Sequence, residues 1–180
     1  MLVALRAPVK LQARSRDPAA AFSFLERRFT PHTVFMEVGA APNGEMSKLA
    51  LRAASYVERV YAVSTSGKLP SVLLPCNVRL VLCDGVRIPV PAAKVDVAWS
   101  GAFMDHLHPD DVRQHLASVH RSLVVGGEYL CATRRALADV CKSLREAEFA
   151  GIRFYAAGAR IPGTLSALVP QNLLRICAIK

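Results

Sequence analysis

The cysteine patterns that build disulfide frameworks or zinc sites are missing from this 180-residue sequence. Its five cysteines are odd in number and widely scattered, with no C-x-x-C pair and no histidine at ligand spacing. Cys83, Cys131 and Cys177 instead lie inside apolar runs, where cysteine behaves as a small hydrophobic residue. The sequence therefore predicts no metal site and no disulfide framework.

Long apolar runs are also absent, since no stretch approaches the roughly 18 consecutive apolar residues of a membrane span. The first residues lack the charged region, apolar core and cleavage site of a secretory signal. With 52% hydrophobic and 21% charged residues, the chain suits one domain rather than two. We expect a soluble cytoplasmic protein with no membrane partner, and one domain over 1–180, in which a tail and helix (1–30) precede a body (31–180).

Acidic residues are too few to balance the basic ones, so the net charge is +9. Residues 1–30 carry six basic and two acidic groups and residues 134–180 carry eight and three, whereas residues 31–133 carry nine of each. A basic surface can attract nucleic acid or an acidic partner. Because no arginine-rich block with interleaved aromatics appears, we interpret the ends as a solvated basic surface and do not favour nucleic acid as the partner.

Short apolar runs alternate with helical patterns along the chain. Seven runs are typical of strands: Thr33–Val38, Arg59–Val63, Asn77–Cys83, Lys94–Trp99, Glu128–Thr133, Gly151–Tyr155 and Leu173–Ile179. Four segments show helical spacing or start signals: Asp17–Arg28, Glu45–Val57, Pro109–Leu123 and Ala136–Phe149. Gly126 and Gly127 would stop the third helix, and prolines make loops of Asp84–Pro91 and Gly158–Pro170.

This alternation predicts an α/β fold with a doubly wound, mostly parallel, seven-stranded sheet and helices on both faces. The last two strands are joined without a helix, and a parallel neighbour would need a crossover of a dozen or more residues. A closing antiparallel strand is therefore the simpler prediction. Ligands of doubly wound sheets bind beyond the carboxyl ends of the strands, near the switch in strand order. The residues that follow the first four strands are thus the candidates.

Four ordered motifs occupy these positions. The first strand leads into Glu37-Val-Gly-Ala-Ala-Pro-Asn-Gly44, and the third strand ends in Leu82-Cys-Asp-Gly-Val86. Val95–Ser100 forms the fourth strand, and His108–Leu130 contains a helix followed by a Gly-Gly turn. Together they resemble the class I S-adenosylmethionine-dependent methyltransferases over roughly residues 17–180. The resemblance implies a Rossmann-like fold with S-adenosylmethionine as the cofactor of the body.

The resemblance also implies which residues contact the cofactor: Glu37, Gly39, Ala40, Ala41, Ser64, Asp84, Gly85, Ser100 and Gly101. Two of them depart from the family pattern, because Ala41 stands where the family has its second glycine and Ser64 where it has an acid for the ribose hydroxyls. Asp84 would bind the adenine amino group, although an Asp-Gly pair also forms turns by itself.

The segment Phe103–Pro109 corresponds to the part of the family that borders the transferred methyl group. A histidine here, His106, could take a proton near neutral pH, with Asp105 as its acceptor. We expect five residues to form walls of the substrate site: Phe103, Met104, His108, Tyr155 and Arg160. His108 could equally cap the helix that follows it.

The favoured function is methyl transfer from S-adenosylmethionine to an oxygen, nitrogen or carbon atom of a small molecule, because few residues remain to dock a macromolecule. A methyltransferase-like binding or assembly module without activity is the main alternative. An NAD(P)-dependent oxidoreductase is the other, since Gly39–Gly44 formally fits G-x-[G/A]-x-x-G. No Tyr-x-x-x-Lys signature supports it. The oligomeric state and the substrate stay open.

Overall fold

A mixed sheet of eight strands forms the centre of the computed structural model, which describes residues 18–40, 45–65, 69–166, 169 and 174–180. The strands are β1 (Val34–Val38), β2 (Arg59–Ser64), β3 (Val78–Leu82), β4 (Val95–Ser100), β5 (Leu123–Cys131), β6 (Gly151–Ala156), β7 (Ala159–Ile161) and β8 (Leu174–Ile179). Their order is β3-β2-β1-β4-β5-β8-β6-β7. Neighbours among β1 to β5 are parallel, whereas β8 is antiparallel to β5 and β6.

Helices cover both faces of the sheet. They are α1 (Pro18–Leu25), α2 (Lys48–Ala53), α3 (Pro109–Ser122), α4 (Leu137–Glu146) and α5 (Gly163–Ser166), with 3-10 turns at Glu26–Arg28 and Phe103–His106. Side chains of α1 and α2 pack in one core with Phe35 and Trp99. Those of α3 and α4 pack in a second core with Met36 and Tyr129. Successive residues of a strand point to opposite faces, so each strand contributes to both cores.

The longest helix, α3, has the start signals that its sequence contains. Pro109 occupies the first helical turn, and the side chain of His108 accepts a hydrogen bond from the Asp110 amide at the N-terminus. Asp110 and Asp111 lie in the first turn, where the helix dipole favours negative charge. The apolar residues at helical spacing are buried on the sheet. This helix fixes the direction of the segment between β4 and β5.

The predicted fold class is confirmed: the sheet is mostly parallel, has helices on both faces and closes with an antiparallel strand. The predicted count of seven strands is wrong, because a short eighth strand, β7, pairs with β6. It begins inside the segment predicted as a loop. Ala157 and Gly158 form the two-residue turn with φ of 50° and 83°, the left-handed conformation that tight hairpins need. Nothing in an Ala-Gly pair indicates such a turn as strongly as Asn-Gly would.

The Gly126-Gly127 pair does not stop α3, as the sequence suggested, but lies inside β5. The helix ends at Ser122 and the strand begins at Leu123. Gly126 adopts a φ of +79°, and the pairing of β4 with β5 shifts register between Val95 and Val97. A side chain at Gly127 would come within 2.9 Å of the Val124 carbonyl oxygen. The two glycines therefore make a bulge in the strand.

Two further boundaries differ from the prediction. The second helix is shorter than the predicted Glu45–Val57 and begins after Ser47, whose hydroxyl oxygen accepts a hydrogen bond from the Leu49 amide. The predicted cap of the first helix, Asp17, lies outside the described residues. In the described part of the chain, no helix has the length and apolar character needed to cross a membrane.

Candidate functional site

A cavity of about 420 Å³, here called the strand-end cavity, opens where β1 and β4 end. These strands are neighbours in the sheet although β2 and β3 lie between them in the sequence, so the cavity is at the switch in strand order. The lining residues are Pro18, Ala21, Glu37, Val38, Gly39, Ser47, Leu49, Thr65, Trp99, Gly101, Ala102, Phe103 and His106. Of the nine predicted cofactor residues, three line it: Glu37, Gly39 and Gly101.

The carboxylate of Glu37 is the most perturbed group in the strand-end cavity. Its side chain is 7% exposed, and Oε1 accepts a hydrogen bond of 2.9 Å from the hydroxyl of Ser47, the residue that caps α2. Oε2 is buried and accepts no hydrogen bond of ordinary geometry from any described residue. Burial raises the pKa of Glu37 to about 7, while the hydrogen bond from Ser47 and the backbone amide of Ala50 lower it by less. Glu37 is therefore a buried acceptor without a full set of donors.

Gly39, in the turn after β1, leaves space at the bottom of the strand-end cavity because it has no side chain. Its φ is +83°, a conformation that favours glycine, and a Cβ there would lie 3.3 Å from Cδ2 of Phe103. The amides of Gly39 and Ala40 both donate to the carbonyl oxygen of Val63, each at 2.9 Å. Ala40 is fully buried, so its backbone rather than its side chain shapes the turn. Ala41 lies outside the described residues.

The end of β2 brings Thr65 rather than Ser64 to the cavity. Ser64 is 1% exposed and does not line the cavity, whereas the exposed residue Thr65 does. Thr65 was not predicted from the sequence, because the resemblance aligned Ser64 with the acidic position. The ribose role of Ser64 stays a prediction, and Thr65 is the residue with a hydroxyl that lines the cavity at the end of β2.

Asp84 forms the turn that the alternative interpretation of Asp-Gly described. Its Oδ1 accepts hydrogen bonds from the amides of Val86 and Arg87, at 2.8 and 2.7 Å, and these hydrogen bonds lower its pKa. The side chain is exposed and does not line the cavity. Gly85 lies against the ring of Phe103, because a Cβ at Gly85 would be 2.3 Å from Cζ of that ring. The turn at Asp84 and Gly85 therefore packs against the ring of Phe103, which lines the strand-end cavity.

Replacing Gly85 by Ala is expected to destabilise the protein by more than the same change at Gly158. Both glycines have positive φ, of 78° and 83°, and an Ala costs about 1–2 kcal/mol there. Only at Gly85 does the added carbon also collide, with Phe103 and with Cγ2 of Thr65 at 2.9 Å, whereas no described atom lies within 4 Å of one at Gly158. Urea unfolding of both variants measures the difference, and equal losses would mean that Phe103 does not fill the space over Gly85.

A buried histidine that was not predicted from the sequence, His115, stabilises this turn by a hydrogen bond. His115 of α3 is fully buried, and its Nδ1 lies 2.7 Å from the carbonyl oxygen of Gly85. Since a carbonyl only accepts, Nδ1 carries the proton and donates. Burial lowers the pKa of His115 to about 4, so the ring is neutral at pH 7. The only signal in the sequence is its position on the apolar face that contains Val112, Leu116 and Val119.

The segment after β4 contributes four residues to the cavity, of which Ala102 is one. Gly101, Phe103 and the exposed side chain of His106 line it. Ser100 is fully buried beside Tyr129 on the other face of the sheet and does not line the cavity. Met104 is also fully buried, in the core under α3, and does not line the cavity.

Asp105 does not accept a hydrogen bond from His106. Its Oδ1 accepts from the hydroxyl of Thr133 at 2.5 Å and from the amide of Arg134 at 3.0 Å. This carboxylate joins the segment after β4 to the end of β5, which a sequence cannot reveal across 28 residues. Asp105 thus links the loop that contains His106 to the residues after β5. His108 caps α3, as its alternative interpretation held, and is exposed away from the cavity.

A second cavity of about 840 Å³, here called the arginine cavity, lies on the other side of α1. Its lining includes Phe24, Arg27, Arg28, Tyr155 and Arg175. Of the predicted substrate residues, Tyr155 therefore lines a cavity, but a different one from His106. Arg160 is exposed on β7, and its neighbour Ala159 is at the cavity wall.

Comparison with protein families identifies the fold. A family described as a methyltransferase domain matches residues 36–131, more than half of the chain. No curated protein matches the chain. The match covers the strands and turns that form the strand-end cavity, from β1 to the end of β5.

Three solved structures show the same fold at low identity. Phosphoethanolamine N-methyltransferase 2 from Haemonchus contortus, with phosphomonomethylethanolamine and S-adenosylhomocysteine, has a TM-score of 0.63 at 17% identity; the alignment covers 75% of this chain but only 38% of that one. The Burkholderia thailandensis 1,6-didemethyltoxoflavin-N1-methyltransferase has a TM-score of 0.65 at 17% identity, covering 95% and 78%. An S-adenosylmethionine-dependent methyltransferase from Mesorhizobium loti has 0.62 at 12%, covering 94% and 100%.

The match confirms the resemblance seen in the four motifs and agrees with S-adenosylmethionine as the cofactor. It also disfavours the nicotinamide alternative, which rested on the formal spacing of one turn. The chain therefore belongs to the methyltransferase-domain family, among the class I S-adenosylmethionine-dependent methyltransferases.

Proposed function

We propose that the protein transfers a methyl group from S-adenosylmethionine, bound in the strand-end cavity, to a small molecule. The observation that carries this proposal is the buried carboxylate of Glu37, whose Oε2 accepts no hydrogen bond of ordinary geometry from a described residue. A ligand ammonium supplies a donor, and charge-assisted hydrogen bonds of this kind are about twice as strong as neutral ones. The amino group of the cofactor is the ammonium that fits a methyltransferase fold.

The other lining residues suit the rest of the cofactor. Gly39 has no side chain, so a ligand can approach the backbone of the turn closely. Thr65 places a hydroxyl at the end of β2, beside the predicted ribose residue Ser64. Phe103 gives an aromatic surface against which a nucleoside base can pack. We assign these roles together with that of Gly101, whose small size keeps the end of β4 open.

When bound, S-adenosylmethionine supplies a methyl group on a good leaving group, so alignment of the acceptor can provide much of the catalysis. Glu37, Gly39 and Thr65 would hold the cofactor, whose sulfonium would release its methyl group to the acceptor and leave S-adenosylhomocysteine. His106 lines the cavity and takes the proton that the acceptor loses. Asp105, held by Thr133 and Arg134, positions the loop that carries His106.

Replacing His106 by Gln is expected to lower kcat at least tenfold and to leave cofactor affinity within twofold. The reason is that a general base acts on the acceptor proton and not on cofactor binding. The measurement is formation of S-adenosylhomocysteine with panels of phenols, amines and carbon acids as acceptors. His32→Gln, an exposed histidine before β1, is the matched control. An unchanged kcat in the His106 variant would remove the base from the mechanism.

A binding module without activity is the second candidate, and Ser64 is the observation that favours it. A serine lacks the ionised acceptor that the family uses for the ribose, so cofactor binding can be weakened. The acceptor panel separates the two candidates. Turnover with any acceptor supports the enzyme, whereas cofactor binding without turnover across all three panels supports the module.

A further inference from the structure

The arginine cavity contains a cation without a counter-charge. The guanidinium of Arg175 lies between two aromatic rings, 5.6 Å from the ring centres of Phe24 and Trp99. Its Nη1 is buried and has no hydrogen-bond partner among the described residues, and none of them forms an ion pair with it. Burial lowers the pKa of Arg175, as expected for a desolvated cation. Arg175 as a whole is half-buried, and a guanidinium with one nitrogen shut off from water is stabilised when an anion accompanies it.

Two neighbouring arginines differ from Arg175 because they share a carboxylate. Arg28 also lines the cavity, but its Nε donates to Oε2 of Glu128 at 2.5 Å and its Nη1 donates to the carbonyl oxygen of Phe24 at 2.9 Å. Arg153 lies 3.9 Å from the same carboxylate. Glu128 is therefore already shared by two cations. Arg27, on the cavity wall, adds a further positive charge and forms no ion pair with a described residue.

The cavity also has an apolar wall. Phe24 and Tyr155 pack edge to face with ring centres 5.2 Å apart, and both line the cavity. Phe24 in turn contacts Trp99, at 6.4 Å between ring centres. The ligand that this wall and Arg175 suit has an apolar or aromatic body and one anionic group.

The arginine cavity and the strand-end cavity share an edge of the sheet. Strand β8 is antiparallel to β5 with Ile176 opposite Cys131, so Arg175 lies at the edge where the parallel strands end. Trp99 lines the strand-end cavity and contacts both Phe24 and Arg175. A ligand in the arginine cavity is thus separated from the cofactor residues by α1 and one indole.

We propose that the arginine cavity is a second ligand site, apart from the strand-end cavity, for a small molecule with a carboxylate or phosphate group that Arg175 holds and an apolar body that packs on Phe24 and Tyr155. The proposal does not depend on the proposed function, because the two cavities lie on opposite sides of α1 and share no lining residue. Carboxylate and phosphate share the bidentate geometry that a guanidinium recognises.

The test uses the single tryptophan of the chain, Trp99, whose fluorescence reports on ligands beside Arg175. The full chain is titrated with benzoate, phenyl phosphate and the neutral isostere benzamide. We expect at least one anion to bind tenfold or more tightly than benzamide. The anion with the higher affinity shows whether the anionic group of the ligand is a carboxylate or a phosphate. Equal binding of all three probes would overturn the proposal.

Two variants assign the binding to Arg175. Arg175→Gln is expected to weaken the binding of the preferred anion at least tenfold, whereas Arg145→Gln, an exposed arginine of α4 on the other face of the sheet, changes it less than twofold. Should the Gln variant not fold, Arg175→Lys keeps the charge without the planar fork and is expected to lose at least threefold. Unchanged anion affinity in a folded Arg175 variant would overturn the proposal.

Titration of the same Arg175 variant with S-adenosylmethionine separates this proposal from the proposed function. Cofactor affinity is expected to stay within twofold, because Arg175 does not line the strand-end cavity. Cofactor binding together with anion binding that is unchanged in the Arg175 variant would contradict the arginine-cavity site alone. Absence of cofactor binding in the unmodified protein would contradict the proposed function, whatever the anions do.

Discussion

At pH 8, Glu37→Gln is expected to raise the free energy of unfolding by up to about 3 kcal/mol and to weaken S-adenosylmethionine binding at least tenfold. The pKa of Glu37 is about 7 in the folded protein against an ordinary 4.5. Each tenfold change in an ionisation constant corresponds to about 1.4 kcal/mol. Keeping this buried carboxylate ionised above pH 7 therefore destabilises the fold, and the neutral amide removes that penalty.

The same substitution is expected to lower the affinity for S-adenosylmethionine while it raises stability, and both effects follow from removing the charge of the carboxylate. The ionised carboxylate is stabilised when a ligand ammonium donates to Oε2, and the amide of Gln offers no charge to that donor. A charge-assisted hydrogen bond contributes about 1.5–3 kcal/mol, which corresponds to a tenfold or larger loss. Affinity of the unmodified protein is also expected to fall as the pH decreases below about 7, because Glu37 must then lose a proton to bind the cation.

Urea unfolding and cofactor calorimetry at pH 8 measure the two effects on one preparation. Glu45→Gln is the matched control, since this exposed glutamate does not line the strand-end cavity. A Glu37 variant that is no more stable than the unmodified protein would show that the carboxylate is better solvated than the structure indicates. Unchanged affinity would show that the cofactor amino group does not bind Glu37.

The second large effect concerns the pH dependence of stability. His115 and Glu37 contribute to it with opposite signs, and the two contributions cancel in the unmodified protein. The pKa of His115 is about 4 when folded against 6.5, so the unfolded chain binds more protons between those values and stability rises with pH there. Glu37 behaves in reverse: between 4.5 and about 7 the folded chain binds more protons, and stability falls as the pH rises. Each contribution amounts to about 3 kcal/mol at most.

Single replacements are expected to expose the two slopes separately. Relative to the unmodified protein, Glu37→Gln gains stability as the pH rises from 4.5 to 7. His115→Phe gains stability as the pH falls from 6.5 to 4, on top of a constant loss of about 1 kcal/mol for its hydrogen bond to Gly85. Unfolding free energies measured between pH 4 and 8 test both. Curves parallel to that of the unmodified protein would contradict the burial of these two groups.

The sequence was sufficient where local signals agree with the fold. Alternating apolar runs predicted β1 to β6 and β8, and the caps and spacing of Pro109–Leu123 predicted α3 to within one residue of its end. The switch in strand order follows from topology, and the cavity found there includes Glu37 and Gly39, two of the residues that the sequence pointed to. These features depend on neighbours in the chain.

The rest depends on contacts between distant residues. Asp105 is held by Thr133 and Arg134, and His115 by the carbonyl of Gly85, 30 residues away, neither of which leaves a local pattern. Arg175 is the exception, because it is a lone charged residue within the apolar run Leu173–Ile179. An arginine in that setting indicates a buried cation, although its aromatic neighbours Phe24 and Trp99 are visible only in the structure.

A calorimetric titration of the unmodified protein with S-adenosylmethionine at pH 8, repeated with Glu37→Gln, tests most directly whether the cofactor binds in the strand-end cavity. We expect one site with a dissociation constant below about 1 mM, within the usual range for enzyme substrates. We also expect binding at least tenfold weaker in the variant. Absence of heat at millimolar cofactor, or equal affinity of the two proteins, would contradict the assignment of the strand-end cavity as the cofactor site.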